Sequence, residues 1–413
     1  MANPALAQLR QYAEPGQLAE REIPARETLQ ERMAAAPWQS GRWRFQPRLS
    51  VGDLVYSTNV FDESDLDEQE SDLRGSATAG IAAYAPVGRD MVFVTFAGPN
   101  YAWWRDNEEL RRLNWSYGAA LFGLFNRLST QVSVKRTETE RAINNELRIP
   151  TTLRQDGIAL DARIDVAGPW QIFTSAALSE SRYPSASNLE DRAPNLDLLA
   201  RDEEVLSAGV AYDIPGSFNL GVGWRRVDSQ FVDDPDLRSN SGQYPFVQFS
   251  VPGNRLQLDG DFGLRLLEFD GPSALEETEE AVGTLRISID LATRTRLSVY
   301  GARDIVYSAV DAGGFFSSGR TGVKLGWGEA NSLRASVFAE TGSDEFQSAN
   351  GANLGRVDDG STYGVNLQVP LKWNLVLDLG VSETTIDSTL DEFDRSRTLI
   401  RSTVRLSLPD FPF

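Results

Sequence analysis

A period of two in the placement of apolar residues begins at Trp43 and continues to the end of the chain. In the final segment Ile400 and Val404 fall on one face of an extended strand, while Arg401 and Arg405 fall on the other. Similar stripes recur, among them Val92, Val94 and Phe96; Ile158, Leu160 and Ile164; Leu206, Ala208 and Val210; and Leu285, Ile287 and Ile289. Such alternation is typical of half-exposed β-strands, and the stripes are too numerous for one soluble sheet.

The segments between the stripes fall into two classes by length. Eight are short, at 86–89, 125–128, 167–169, 214–216, 252–254, 292–294, 328–331 and 370–373. Longer polar segments include 62–74, 184–204, 270–280 and 341–360. Short turns at one rim and long loops at the other are typical of outer-membrane barrels. Eight turns join sixteen strands, and a first strand near 42–60 and a last near 394–413 give about eighteen. This even number predicts that both termini lie in the periplasm.

The sequence therefore predicts an all-β fold, a transmembrane antiparallel up-and-down β-barrel of about eighteen strands with a short N-terminal helical segment. Of the 413 residues, about 370 remain for the barrel, or about twenty per strand and loop, where a spanning strand needs about 9 to 11. The hydrophobic fraction is 41% and the mean hydropathy −0.32, and no run approaches the roughly 18 apolar residues of a spanning helix. Stacked β-sandwiches or a propeller would repeat more tightly, with Gly or Asp turns at both ends.

Charge and residue usage exclude several classes of function. The chain has 59 acidic and 40 basic residues and a net charge of −19, so nucleic acid is not an expected partner. It has no Cys and no His, so the usual general base and transition-metal ligands are missing. Asp161 and Asp165 would lie about 13 to 14 Å apart on one strand, too far for glycosidase chemistry. We predict no enzymatic activity, no cofactor and no metal site.

The acidic run 62–72 could attract a divalent cation, because hard cations prefer carboxylate oxygens. It lacks the spaced Gly and the ligand order of an EF-hand loop. A solvated loop is therefore the preferred interpretation.

The first forty residues differ from the rest. Segment 20–35 is rich in Glu, Arg, Gln, Leu and Ala, with Pro24 early and Pro37 just past its end, which predicts a weakly amphipathic helix. We divide the chain into a periplasmic N-terminal helical segment, 1–41, and an outer-membrane β-barrel, 42–413. The segment is interpreted as a periplasmic cap or extension, with a docking element or a lumen plug as alternatives. Because an outer-membrane barrel requires a secretory signal, we expect that Met1 replaces a cleaved signal peptide.

Polar residues that alternate with the apolar stripes are expected to line the lumen. The candidates for a substrate path are Asp161, Arg163, Asp165, Asp259, Asp261, Arg265, Arg286, Asp290, Lys324, Arg334, Gln368, Asp378, Arg401 and Arg405. Their mixed charges match neither the basic cluster of a phosphate pore nor the acidic ring of a cation channel. They either pair across neighbouring strands and fix a hydrated wall or form a polar track for a hydroxyl-rich solute.

Aromatic residues fall into two predicted groups. Candidates to point inward are Phe93, Phe173, Phe246 and Phe338, either as a sugar path or as packing beneath an inward-folded loop. Candidates for the membrane interface, near strand ends, are Trp115, Tyr117, Trp170, Trp224, Trp327, Tyr363 and Trp373. The second group predicts contact with outer-membrane lipid and lipopolysaccharide.

The chain ends on Phe413, with Phe411 two positions before it. This ending resembles the C-terminal signal of bacterial outer-membrane barrels, in which the last strand ends on Phe and closes against the first. The resemblance implies recognition of the last strand by the barrel-assembly machinery.

Three short segments carry a further resemblance. They are 47–61 (PRLSVGDLVYSTNVF), with 56–61 its most characteristic part, 99–103 (PNYAW) and 113–115 (LNW). They resemble a bacterial outer-membrane β-barrel family found in exopolysaccharide and capsule loci, along most of the chain except 1–40. The resemblance implies a barrel of about eighteen strands that passes a secreted polysaccharide, working with a periplasmic polysaccharide-export protein. It transfers no catalytic residue.

Three functions fit these observations. The favoured one is a monomeric conduit for secreted polysaccharide, in which inward Arg, Lys and Asp side chains hydrogen-bond sugar hydroxyls. A general diffusion porin for small hydrophilic solutes would predict a folded-in constriction loop and a trimer. A structural or adhesive barrel with a closed lumen would carry its function in the acidic outer loops.

Overall fold

Long antiparallel strands dominate the computed structural model of the protein, because the alternating pattern gives each strand one apolar and one polar face. The structure describes residues 26–406 apart from 143, 145, 147, 185–195, 234, 254, 270–277, 310–313, 330–331, 348–354 and 373–374. The short elements are helix α1, Arg26–Ala35; strand β1, Trp38–Ser40; helix α2, Pro235–Arg238; and 3-10 turns at Glu108–Leu110, Leu196–Leu199 and Asp391–Phe393.

Eighteen of the described strands form the barrel wall. They are β2 Trp43–Ser57, β3 Asp72–Val87, β4 Met91–Trp104, β5 Arg112–Leu124, β6 Leu128–Arg141, β7 Thr151–Ala167, β8 Trp170–Arg182, β9 Arg201–Ile214, β10 Phe218–Phe231, β11 Asn240–Pro252, β12 Leu256–Phe269, β13 Thr278–Ala292, β14 Thr295–Tyr307, β15 Phe315–Trp327, β16 Arg334–Gln347, β17 Val357–Pro370, β18 Leu375–Ser388 and β19 Arg395–Leu406. Each pairs antiparallel with its sequence neighbours, and β19 closes on β2, where Ile400 pairs with Tyr56. The predicted all-β, eighteen-stranded barrel is confirmed.

The strand connections differ sharply between the two rims. Eight short turns lie at one rim, and Gly88, Gly168 and Gly216 take φ angles of +71°, +55° and +73° there, a region that glycine enters without strain. Nine longer connections lie at the other rim, the third being loop 3, residues 142–150. Both ends of the strand series lie at the short-turn rim, which is the periplasmic rim in outer-membrane barrels.

Apolar side chains form a band around the outer face. On β7, Ile158, Leu160 and Ile164 are each about half exposed. Nearer the long-loop rim the outward positions become charged, as in the ion pair between Arg136 and Asp156. A charged side chain at the bilayer midplane costs about 2 to 4 kcal/mol. The hydrocarbon region therefore includes Ile158 and ends before Asp156 on this strand.

On the inner face, several aromatic rings lie over glycines of the next strand. The directly paired residues are Phe173 and Gly209, Phe246 and Gly223, and Phe338 and Gly364. A Cβ atom added at Gly364 would lie 2.3 Å from the ring of Phe338. Three of the four aromatics predicted to point inward are thus part of a tightly packed wall.

Helix α1 packs against the inner face near the short-turn rim. Leu29 is fully buried there, and Met33 packs against the same cluster. The barrel side chains in this cluster, here called the inner patch, are Ala82, Tyr84, Val92, Val94, Phe96, Ala120, Phe122 and Leu124. No helix in the described part of the chain is long and apolar enough to cross a membrane.

The orientation of β4 is opposite to the sequence prediction. The stripe Val92, Val94 and Phe96 points inward and is buried, whereas Phe93 points outward and packs edge-on against Trp43, with ring centroids 6.2 Å apart. The prediction of an inward Phe93 is wrong because the inner wall is apolar here, where α1 covers it.

Candidate functional site

Loop 3 folds inward and crosses the barrel. It connects β6 to β7, yet its side chains contact the end of β14, which lies nearly opposite in a ring of eighteen strands. Strands β6 and β7 extend well past the roughly 9 to 11 residues that spanning requires. The connection between them, residues 142–150, is what reaches across the lumen.

Glu146 is the main anchor of loop 3. Its carboxylate accepts hydrogen bonds from the hydroxyl of Ser308 at 2.8 Å and from the backbone N–H of Ala309 at 2.7 Å. Close by, the side-chain amide of Asn144 donates to the carbonyl of Tyr307 at 3.2 Å. These three contacts fix the middle of loop 3 to the opposite wall.

The end of loop 3 is held by the strands that close the barrel. The backbone N–H of Arg148 donates to Asp62 at 3.2 Å, and its carbonyl accepts a bond from Arg397 of β19 at 3.2 Å. Asp62 also forms an ion pair with Arg395 at 3.0 Å. Its φ is +56°, a conformation that Asp tolerates better than most residues. Asp62 thus links the loop after β2 to both loop 3 and β19.

A buried guanidinium lies beside the Glu146 anchor. Arg356 donates from Nε to Asp358 at 2.8 Å, and its guanidinium carbon lies 3.4 Å from the ring centroid of Phe393 and 4.2 Å from that of Phe346. Its Nη1 atom is 3.9 Å from the carboxylate of Glu146. A buried carboxylate needs such compensation, because leaving water is costly for a charge.

The electrostatics of the anchor reflect this balance. Burial raises the pKa of Glu146 above its ordinary value, while the hydrogen bonds from Ala309 and Ser308 and the charges of Arg356 and Arg395 act in the opposite direction. The loss of solvation is the larger effect. The carboxylate is therefore held by its neighbours at a solvation cost, which makes the anchor sensitive to pH.

An apolar cluster surrounds loop 3 at the long-loop end. Ile149 of loop 3 is almost fully buried and belongs to the same cluster as Val60, Phe61, Leu110, Leu196, Leu199, Phe173, Tyr244, Phe246, Tyr307 and Phe315. These side chains come from three other long connections and from the inner wall. Loop 3 is therefore both tethered and packed, and it narrows the lumen at this end.

The predicted lumen residues with described side chains all occupy inner-face positions of their strands. They are Asp161, Arg163, Asp165, Asp259, Asp261, Arg265, Arg286, Asp290, Lys324, Arg334, Gln368, Asp378 and Arg401, which alternate with outward apolar residues. The backbone of Arg405 pairs with Ser50 of β2, and the side chain of Arg405 lies outside the described structure. A role in a substrate path stays a prediction for all of them.

Several of these polar groups bind one another or a close neighbour. The pairs are Arg265 with Asp304 at 3.0 Å, Arg296 with Asp290 at 2.6 Å, and Gln368 with Asp378 at 2.7 Å. Asp261 accepts a bond from Thr284 at 2.6 Å. The arrangement presents a polar wall in which many charges are matched locally.

The predicted interface aromatics with described positions lie on the outer face. Trp115, Tyr117, Trp170, Trp224, Trp327 and Tyr363 are between 41% and 61% exposed. Trp373, Phe411 and Phe413 lie outside the described residues. Membrane-interface contact and recognition of the last strand therefore stay predictions.

Sequence reasoning missed the residues that position loop 3, namely Glu146, Arg356 and Asp62. Nothing in the local pattern distinguishes Glu146 from its charged neighbours, and the segment between the two flanking short turns is shorter than the segment between the turns at 167–169 and 214–216. The acidic run is also only partly solvated, because the side chain of Asp62 is buried and Asp72 accepts a hydrogen bond from the backbone N–H of Asn107 at 3.0 Å. Among the described residues, no group of three or more carboxylates is placed to hold a metal ion.

A closed barrel of eighteen antiparallel strands, with an apolar outer band, short turns at one rim and an inward third loop, has the architecture of a bacterial outer-membrane porin. Solved structures with this fold include OpdK from Pseudomonas aeruginosa, at TM-score 0.54 and 11% identity, covering 87% of this chain and 98% of that one. OccAB3 from Acinetobacter baumannii has a TM-score of 0.53 and 10% sequence identity, and the match covers 88% of this chain and 98% of that one. A BenF-like porin from Pseudomonas fluorescens Pf-5 has a TM-score of 0.52 and 12% identity, and the match covers 88% of this chain and 99% of that one.

At these identities the likeness concerns the fold. That fold agrees with the predicted outer-membrane location and with a protein that is not an enzyme. Nothing in the likenesses supports the predicted association with polysaccharide export. No family model and no curated protein matches the sequence.

Proposed function

We propose that the protein is an outer-membrane porin through which small hydrophilic solutes diffuse, with loop 3 as a constriction. The observation that carries this proposal is the attachment of Glu146 to Ser308 and Ala309 across the barrel. A folded-in constriction loop is the feature expected of a diffusion porin. The polar inner wall supports the proposal, because it offers hydrogen bonds to a hydrated solute.

The same loop argues against a conduit for polysaccharide. A polymer would have to pass beside a segment that is fixed at its middle by Glu146 and at its end by Arg148. A small solute needs only the space that remains between loop 3 and the wall. The apolar outer positions on strands throughout the ring support a barrel surrounded by lipid.

Single-channel recording in planar bilayers, combined with swelling of proteoliposomes in sugars of increasing size, tests the proposal. We expect discrete conductance steps and a sharp size limit for the native protein. Glu146→Ala should raise the conductance and relax the size limit, because it leaves Ser308 and Ala309 without their acceptor. Glu279→Ala, at an exposed position on β13, is the matched control and should behave as the native protein.

Protein that migrates as a folded barrel but gives no conductance, in both the native form and Glu146→Ala, would contradict a diffusion channel. Passage of a polysaccharide without passage of small sugars would instead restore the conduit hypothesis.

A further inference from the structure

We infer that helix α1 is a second size-determining element, seated inside the lumen at the short-turn end. This inference rests on the proposed porin function. Helix α1, which is not part of the barrel wall, would form a second constriction at the end of the lumen opposite loop 3. The observation behind it is that Leu29 is fully buried, and Met33 partly buried, against the inner patch of β3, β4 and β5.

The inner patch forms one continuous surface in the strand register. Tyr84 of β3 pairs with Val94 of β4, which pairs with Ala120 of β5. One step nearer the rim, Val92 pairs with Phe122. Three neighbouring strands therefore present apolar side chains inward at matching heights near the short-turn rim.

Such a surface is unfavourable inside a water-filled pore. Apolar area is stabilised by removal from water, and Leu29, Tyr84 and Val94 are all fully buried. The only polar atom of the Tyr84 side chain is satisfied, since its hydroxyl donates to Gln46 at 2.9 Å. The patch is thus suited to an apolar helix face and poorly suited to a hydrated solute.

The attachment of α1 keeps it at this rim. The helix ends at Ala35 and β2 begins at Trp43, with the short strand β1 paired back onto the start of β2 between them. An α-helix with its side chains is about 10 to 12 Å across, a large obstruction in a barrel of this strand number. A solute that has passed loop 3 must therefore pass beside α1.

The first test uses the natural lack of cysteine. Leu29→Cys should react with a charged thiol reagent only after unfolding, because Leu29 is buried. Ala34→Cys, at an exposed position of the same helix, should react at once in the folded protein. Equal labelling rates for the two variants would overturn the placement of α1 against the inner patch.

The second test measures the pore. Leu29→Asp and, independently, Met33→Asp should release α1, raise the single-channel conductance about twofold and admit larger sugars, since an object about 10 to 12 Å wide leaves the path. Ala34→Asp should match the native protein. The barrel strands are unchanged, and heat-dependent mobility on gels confirms that each variant is folded.

The outcomes separate the two proposals. A protected Leu29→Cys together with native conductance in Leu29→Asp and Met33→Asp would overturn the size-determining role while leaving the porin intact. If the α1 variants and Glu146→Ala all show no channel conductance, the porin function is overturned, and the proposed role of α1 is overturned with it.

Discussion

Single residues of loop 3 carry much of the functional argument. Glu146 accepts hydrogen bonds from Ser308 and Ala309, just after β14, and lies beside the buried guanidinium of Arg356. Breaking a buried charge arrangement by removing one partner typically costs about 3 to 5 kcal/mol. Loop 3 should therefore behave as a fixed element as long as this carboxylate is present.

The raised pKa of Glu146 gives a pH prediction with a defined sign. Above the unfolded-state pKa of about 4.3, the native state binds more protons than the unfolded state until the raised native pKa is passed. The contribution of Glu146 to stability is therefore fully present below that unfolded-state value and declines as pH rises through the native pKa. Glu146→Gln cannot titrate, so it should lack this decline.

Thermal unfolding in detergent from about pH 4 to about pH 8 measures the effect. The difference in midpoint between the native protein and Glu146→Gln should change in favour of the glutamine variant as pH rises. Parallel profiles for the two proteins would show that Glu146 does not titrate with a raised pKa.

Individual strands show what sequence patterns can and cannot predict. Alternation and turn spacing predicted the strand number, because each spanning strand must have one apolar face. Alternation does not tell which face is outside when both are apolar, as on β4, where Phe93 and Val94 are neighbours. The answer depends on α1, whose contact with β4 has no local signature. The inward course of loop 3 has no local signature either, since its partners lie in β14, in β19 and at Arg356, just before β17.

Packing between paired strands gives a prediction at the same scale. Gly364→Ala on β17 should destabilise the barrel by about 1 to 3 kcal/mol, the usual cost of overpacking, because its Cβ would lie 2.3 Å from the ring of Phe338. Gly360→Ala on the same strand is the control, since its Cβ would meet nothing nearer than 3.9 Å. Unfolding by urea in vesicles measures both.

Recovery of stability in the double variant Gly364→Ala, Phe338→Leu would locate the strain at this ring. Equal stability of the two glycine variants would show that the ring moves aside without cost.

At the scale of the whole molecule, the outer surface defines how the barrel sits in the membrane. Val222 of β10 is 54% exposed within the apolar band, and Gln230 is exposed on the same face near the long-loop rim. Val222→Arg should lower the free energy of unfolding in lipid by about 2 to 4 kcal/mol. Gln230→Arg should change it by no more than about 0.5 kcal/mol.

Urea titrations of both variants in vesicles compare these values. A similar loss of unfolding free energy for both variants would mean that the hydrocarbon region extends to Gln230. No loss for Val222→Arg would mean that Val222 does not face the hydrocarbon region.

The position of the inner patch also bears on the order of assembly. Leu29 packs on β3, β4 and β5, which follow soon after β1 and β2 in the chain, whereas the ring closes only when β19 pairs with β2. Contacts that are local in sequence lose less chain entropy on forming than contacts between the ends. Helix α1 can therefore pack on β3, β4 and β5 before β19 pairs with β2. Closure then encloses a helix already in place, and α1 never has to be threaded into a finished pore.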